Sequence, residues 1–154
     1  MTYEKFVGDY TSRGLLKSQK PSLSAALKLI QRSIKELRAA KANIPIDEAI
    51  AYTVAYLAML HAGRALMSIK GLRPHYGYQH KTVVEFVACV LGHNYKAMIG
   101  HFDAMRRKRN IFTYEADITI SKTEARNAIE TATEFVAIID KVIKTHDPQA
   151  EFHI

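Results

Sequence analysis

The stretch AIAYTVAYLAMLHAGRALMSIKG, residues 49–71, decides the fold. Ala51, Ala55, Ala58, Ala62 and Ala65 recur by fours and threes, so they fall on one face of a helix. Such small side chains let a neighbouring helix approach closely. The apolar run from Ala49 to Leu60 is followed within a turn by His61 and Arg64, too short and too soon charged to span a bilayer. This is the pattern of a buried helix. Upstream, NIPIDE breaks the periodicity, because Pro45 disfavours helix at Ile44, while Asp47 and Glu48 suit a helix start. Gly71 closes the helix after about Lys70, with Pro74 beyond it.

Working outward, Leu23, Leu27, Ile30, Ile34 and Leu37 are spaced by four, three, four and three, the stripe of an amphipathic helix opening at Pro21 or Ser22. Lys35, Arg38 and Lys41 suit its negative end. A shorter helix is expected from about Tyr3 to Leu16. On the other side, RPHYGYQH reads as a loop before a short helix from about Lys81 to Leu91, ended by Gly92. Asn94 is placed to cap the next helix, which buries Ile99, Phe102, Met105 and Phe112. YEADITI alternates weakly but is short and has no partner strand, so it reads as a loop. Ser121 with Glu124 forms a capping box opening a last helix, which packs through Ala125, Ala128, Ala132, Phe135, Ile139 and Val142 and frays before Pro148. No repeat, low-complexity segment or Gly/Ser linker divides the chain. The expected fold is all-α: an up-and-down bundle of four main helices plus short additional helices, in one domain over residues 1–154.

Composition narrows the chemistry. Cys89 is the single cysteine and lies in the apolar run VVEFVACVL, so no intrachain disulfide forms and a core-filling role is expected. That usage, and an N-terminal stretch without a basic-then-apolar leader, suit the cytoplasm; no membrane association is expected. A formal charge of +7 favours encounter with polyanions.

The segment MRRKRNIFTYE, residues 105–115, places four consecutive cations on a helix otherwise committed to the core. One reading is a solvated basic face near a helix C-terminus. The other is a phosphate grip: Arg106 and Arg109 are three apart and share a face, so two guanidinium forks can hold one phosphate or two neighbours, while Arg107 and Lys108 point elsewhere. Asn110 follows directly. Tyr114, five residues past Arg109, is off that face by more than a quarter turn and joins Arg109 only if the helix ends or bends first.

This segment resembles the signature of HEPN domains, in which an Arg, often followed by a polar residue, precedes a His by four to six residues. The resemblance extends through GLLK and KPS near the N-terminus, AYTVAYLAMLHAGRALMSIKGLRP, HKTVVEF and FDAMRRKRNIFTYE, and their order and spacing together are specific. It implies a helical bundle that dimerises with two copies of the motif facing across a shared cleft. Many relatives are metal-independent ribonucleases, often toxins paired with a small nucleotidyltransferase antitoxin; others are noncatalytic nucleotide or RNA binders. In catalytic members Arg stabilises phosphate charge and His assists proton transfer from a ribose 2′-hydroxyl.

Here Tyr114 stands where the motif His is expected. A phenol with a reference pKa near 10 is a poor base at neutral pH, so binding is favoured over cutting. Tyr114 can instead stack on a base, donate a hydrogen bond to phosphate, act as an acid, or be modified by the partner enzyme as a Tyr near the motif is in some relatives. Of the other histidines, His61 reads as a packed helix residue that can approach the cleft. His101, eight residues before Arg109, can lie on the same side and substitute for the missing His. Histidine spacing gives no metal-ligand pattern, and no Gly-rich phosphate loop or nucleophile elbow is present, so no metal or cofactor is expected. Arg73, His75, Tyr76, Tyr78, His80 and Lys81 form either a surface loop with an aromatic plug or a base-stacking patch. The expected site is therefore Arg109 and Tyr114 in catalysis with Arg106, Arg109 and Asn110 on RNA or nucleotide, in a homodimer beside a nucleotidyltransferase antitoxin. The alternative is a noncatalytic nucleotide-binding or structural helical module.

Overall fold

The computed structural model describes residues 1–75 and 79–146, and the side chain of His146 is not included. Six helices build it: α1 Tyr3–Ser12, α2 Leu23–Asn43, α3 Glu48–Ile69, α4 Gln79–Leu91, α5 Lys96–Tyr114 and α6 Lys122–His146. The long ones, α2, α3, α5 and α6, form the expected bundle, with α1 and α4 as additions. No described helix is long and apolar enough to cross a membrane.

Local chemistry sets the ends. Ser22 caps α2 by accepting from the Ala25 amide at 3.0 Å, and Asp47 caps α3 by accepting from Ala49 and Ile50. Ser121 and Glu124 complete the capping box: the Glu124 amide donates to the serine hydroxyl at 3.0 Å and the Ser121 amide to the glutamate at 3.3 Å. Gly71 and Gly92 end α3 and α4 in the left-handed region, at φ +74° and +81°. Asn94 does not cap α5. It lies in a 3-10 turn, His93–Tyr95, and α5 begins after Tyr95 with no side-chain cap.

α3 is buried along its length. All five alanines of its small face are fully covered, and α2 and α6 both pack on it. The Ser33 hydroxyl donates to the Ala58 carbonyl at 2.8 Å, so a polar group sits in the α2–α3 seam without an unmet bond. Glu36, also buried, accepts from His61 Nδ1 at 2.7 Å and lies 3.6 Å from Arg32. The buried line of α2 is thus Ala26, Ile30, Ser33, Leu37 and Ala40, and Ile34 of the expected stripe is 46% exposed. On α6 the core takes Ile143, leaving Val142 at its edge. On α5, Phe112 is likewise half-buried, edge-on to the Tyr52 ring at 5.9 Å. Cys89 is half-buried at the margin of the core.

The N-terminal helix is shorter than periodicity suggests. Gly14 turns the chain at φ +74°, and Leu16–Ser18 (β1) pairs antiparallel with Leu72–Pro74 (β2), Lys17 opposite Arg73. α1 stacks Phe6 on Tyr10 and sets both Tyr3 and Phe6 against Phe86 of α4. The loop between Pro74 and α4 includes Tyr76 and Tyr78, and these residues, like the stretch around Pro148, lie outside the described residues.

At Gly63 of α3, an added Cβ would stand 2.5 Å from Val83 Cγ1 of α4, a rigid and fully buried neighbour. Gly63→Ala should therefore lower stability by about 1 kcal/mol or more, the overpacking exceeding the roughly 1 kcal/mol gain in helix propensity. Urea unfolding checks this as a lower midpoint at unchanged slope; a raised midpoint would show that α4 yields at no cost.

Candidate functional site

The site follows from a change of side-chain type along one face of α5. At 100° per residue, Arg109 lies about 20° from Phe102 and Arg106 about 40° from it. Phe102 is fully buried and its ring is 5.8 Å from that of Tyr56. The inward stripe of α5 is thus apolar at Ile99, Phe102 and Met105 and becomes cationic at Arg106 and Arg109. Both arginines act electrostatically on the buried Tyr56 of α3 and on His80 of α4.

The four cations do not share one fate. Arg106 Nε donates to Asp103 at 2.9 Å with its side chain only 15% exposed, and the outward Arg107 reaches the same carboxylate at 3.1 Å. Lys108 pairs with Glu124 of α6. Among the described residues Arg109 alone of the four has no carboxylate partner; its Nη1 makes a long 3.4 Å contact to Asn110 Oδ1. Arg109 and Asn110 are both half-buried. Two carboxylates thus serve three of these cations, Asp103 being shared between Arg106 and Arg107, and Arg109 is the one that none reaches among the described residues.

His80 completes the cluster. Its Nδ1 is 2.8 Å from the Tyr56 hydroxyl, with the rings 5.7 Å apart. Burial lowers its pKa first, and Arg109, Arg106, Arg64 and His61 lower it further, so the imidazole is held neutral below the ordinary histidine range. The Tyr56 phenol is pushed up by burial against the opposing pull of Arg106 and Arg109. Two ring groups from α3 and α4 thus lie within the field of two guanidinium groups from α5.

Tyr114 is not brought to this cluster within one protomer. α5 runs unbroken through Tyr114, which projects about 140° away from Arg109 and is 87% exposed. His101 also misses it: eight residues amount to an 80° offset, and His101 lines a pocket of about 650 Å³ between α5 and α6 with Met98 and Met105. That pocket is also lined by Glu130 and Glu134, which disfavour a phosphate. His61 is partly buried, tied to Glu36, and lines a second pocket of about 470 Å³ with Lys28, Arg32 and Lys35 of α2. Among the described residues no three His, Cys, Asp or Glu side chains gather in a way that could hold a metal ion.

From sequence, His80 belongs to either a surface loop with an aromatic plug or a base-stacking patch. The signal for a different role was present: His80 precedes Val83, Val84 and Val87 by three, four and seven residues, the spacing of one helix face, and all three valines are buried.

No curated protein and no solved structure matches the chain. The family model for the HEPN domain matches residues 26–142, from the first buried turn of α2 almost to the end of α6 and including every residue of the arginine, tyrosine and histidine cluster. With the bundle, the arginine on the inner face of its penultimate helix and this match in agreement, the chain belongs to the HEPN domain family.

Proposed function

We propose that this HEPN protein binds a ribonucleotide phosphate, in RNA or in a free nucleotide, at Arg109 with Arg106 and Asn110 beside it. The observation that carries the reading is the half-buried Arg109 guanidinium, left without a carboxylate partner among the described residues while its three cationic neighbours share two carboxylates. A group so placed presents a planar fork of donors from a partly desolvated setting, where a charge-assisted bond is worth more than on an open surface. A longer strand is accommodated by the cationic side of the bundle: Lys28, Arg32 and Lys35 share a pocket with His61, and His61 and Arg64 lie within electrostatic range of His80. A polynucleotide backbone fits that arrangement better than an acidic peptide, because successive phosphates repeat along it at a fixed interval.

The proposed working unit is a homodimer. Ile111 and Tyr114, one turn apart at the end of α5, are exposed, and so is Ile50 at the start of α3, which the Phe112 and Tyr52 rings bring to the same end of the bundle. Apolar groups grouped there suit a twofold contact. In such a dimer Tyr114 of one protomer can reach toward the Arg109 site of the other, where it would stack on a base or bond a phosphate. A toxin role beside a nucleotidyltransferase antitoxin belongs to the same proposal, as does a cytoplasmic setting, which the lone free cysteine suits.

Binding is tested with fluorescently labelled single-stranded RNA and, separately, ATP and GMP. Arg109→Ala should weaken the bound ligand at least about tenfold, the size of one lost charge-assisted bond, and should reduce the salt slope of RNA binding by roughly 0.7 per phosphate released. Wild-type protein that binds neither RNA nor nucleotide ends the proposal. For the dimer, Ile111→Asp combined with Tyr114→Asp should convert it to monomer in sedimentation velocity; a monomeric wild type at tens of micromolar would remove the twofold cleft.

A further inference from the structure

We propose that the cavity between α5 and α6 is a second ligand site, for a small organic amine: an apolar or aromatic body carrying an ammonium that Glu130 and Glu134 receive. The site is independent of the Arg109 reading. Its volume of about 650 Å³ falls inside the roughly 300–1,000 Å³ of small-molecule sites. The cavity has two ends. At one, the Lys108–Glu124 pair crosses from α5 to α6; at the other, the 3-10 turn His93–Tyr95 brings in Asn94 and Tyr95. Between them α5 contributes the stretch from Ala97 to Met105, about 12 Å of helix. That length suits a compact molecule, whereas a docked helix needs a groove that continues past both ends.

The lining selects both shape and charge. Tyr52 of α3, Met105 of α5 and Ala128 of α6 are buried, and Tyr95 and Met98 are half-buried beside them. Thioether and aromatic surfaces take an aliphatic or aromatic body, and a tyrosine ring face also attracts a cation. On a chain of formal charge +7, no lysine or arginine lines this cavity, whereas three glutamates do. Glu124 is committed to Lys108, which together with the Ser121 amide holds its carboxyl below the ordinary carboxylate range. Glu130 and Glu134, one turn apart on α6, make no ion pair among the described residues. Carboxylates so spaced repel each other, and an ammonium placed against both relieves that repulsion. A carboxylate or phosphate ligand meets the opposite balance. A bare metal ion leaves the apolar lining unused, and no three His, Cys, Asp or Glu side chains among the described residues gather to hold one.

The test uses the full chain and three dyes that share one fluorophore: dansylcadaverine, which carries a primary ammonium, dansylamide, which is uncharged, and dansylglycine, an anion. Dansylcadaverine should bind with a rise in emission and at least about tenfold more tightly than dansylamide, the size of one charge-assisted bond, and dansylglycine more weakly than either. Glu130→Gln combined with Glu134→Gln should remove the preference for the amine and leave dansylamide binding as it was. Ala104→Phe, at an exposed position of α5 that lines the cavity, should abolish binding of both by filling the space. All three substituted residues are exposed, so thermal unfolding midpoints should stay near that of wild type. Arg109→Ala should bind the dyes as wild type does. No dye bound by wild type, equal binding of all three dyes, or amine binding that survives both the glutamine pair and Ala104→Phe overturns the site. So does loss of the amine in Arg109→Ala, which would place the dye elsewhere. RNA or nucleotide binding at Arg109 stands or falls separately from each of these results.

Discussion

The structure depends on the close approach that the small face of α3 allows. Five alanines with no exposed surface, followed by Gly63 under the Val83 side chain, let α2, α4 and α6 close around one helix. A larger residue on that face would move neighbouring axes apart, because packed interiors adjust little. That approach brings the Ser33 hydroxyl to a backbone carbonyl and the Glu36 carboxylate to His61. It also sets Tyr56 at the depth where α4 and α5 can both reach it.

Tyr56 is where packing becomes chemistry. Its ring is part of the core, tilted against Phe102, while its hydroxyl holds the His80 ring. Above it the inward face of α5 carries arginine instead of phenylalanine or methionine. Guanidinium groups on a core-facing stripe are tolerated because Arg106 has Asp103 and because the stripe reaches the end of the bundle there, so the charges are only partly desolvated. A solvated basic helix end would turn these groups outward. Here Arg107 does turn outward, whereas Arg106 and Arg109 do not.

Periodicity made the helices legible, because each long helix buries one continuous face and its ends carry local chemistry: Ser22, Asp47, the Ser121–Glu124 box, Gly71 and Gly92. Ile34 misled because hydrophobicity alone weights it above Ser33, which takes the seam since its hydroxyl has a carbonyl to meet. The short β1–β2 pair was not legible: three residues on each side carry no alternation, and the pairing exists only because tertiary folding sets two loops side by side. Arg109 could be singled out as one cation among four. That it is the one without a carboxylate partner among the described residues depends on Asp103, a turn before Arg106 and Arg107, and on Glu124 from α6, and only the fold shows both. His80 was hidden by the same limit, since its partner Tyr56 lies twenty-four residues away on another helix.

Pairing three of four adjacent cations with two carboxylates shapes the field at this end of α5. An unbalanced run of four would attract any polyanion through a diffuse field that salt screens within about a Debye length. With Asp103 shared by Arg106 and Arg107, and Glu124 holding Lys108, two of the four charges are offset, and the guanidinium that no carboxylate reaches among the described residues presents a fixed fork of donors. Tyr56 and His80, joined at 2.8 Å, lie within the field of that guanidinium. In the binding we propose, such a site would distinguish ligands by where their oxygen atoms fall, which charge alone cannot do. In that proposal Glu130 and Glu134, lining the α5–α6 pocket, would work in the same sense from the other side of α5, because they would repel a phosphate chain from that face of the helix.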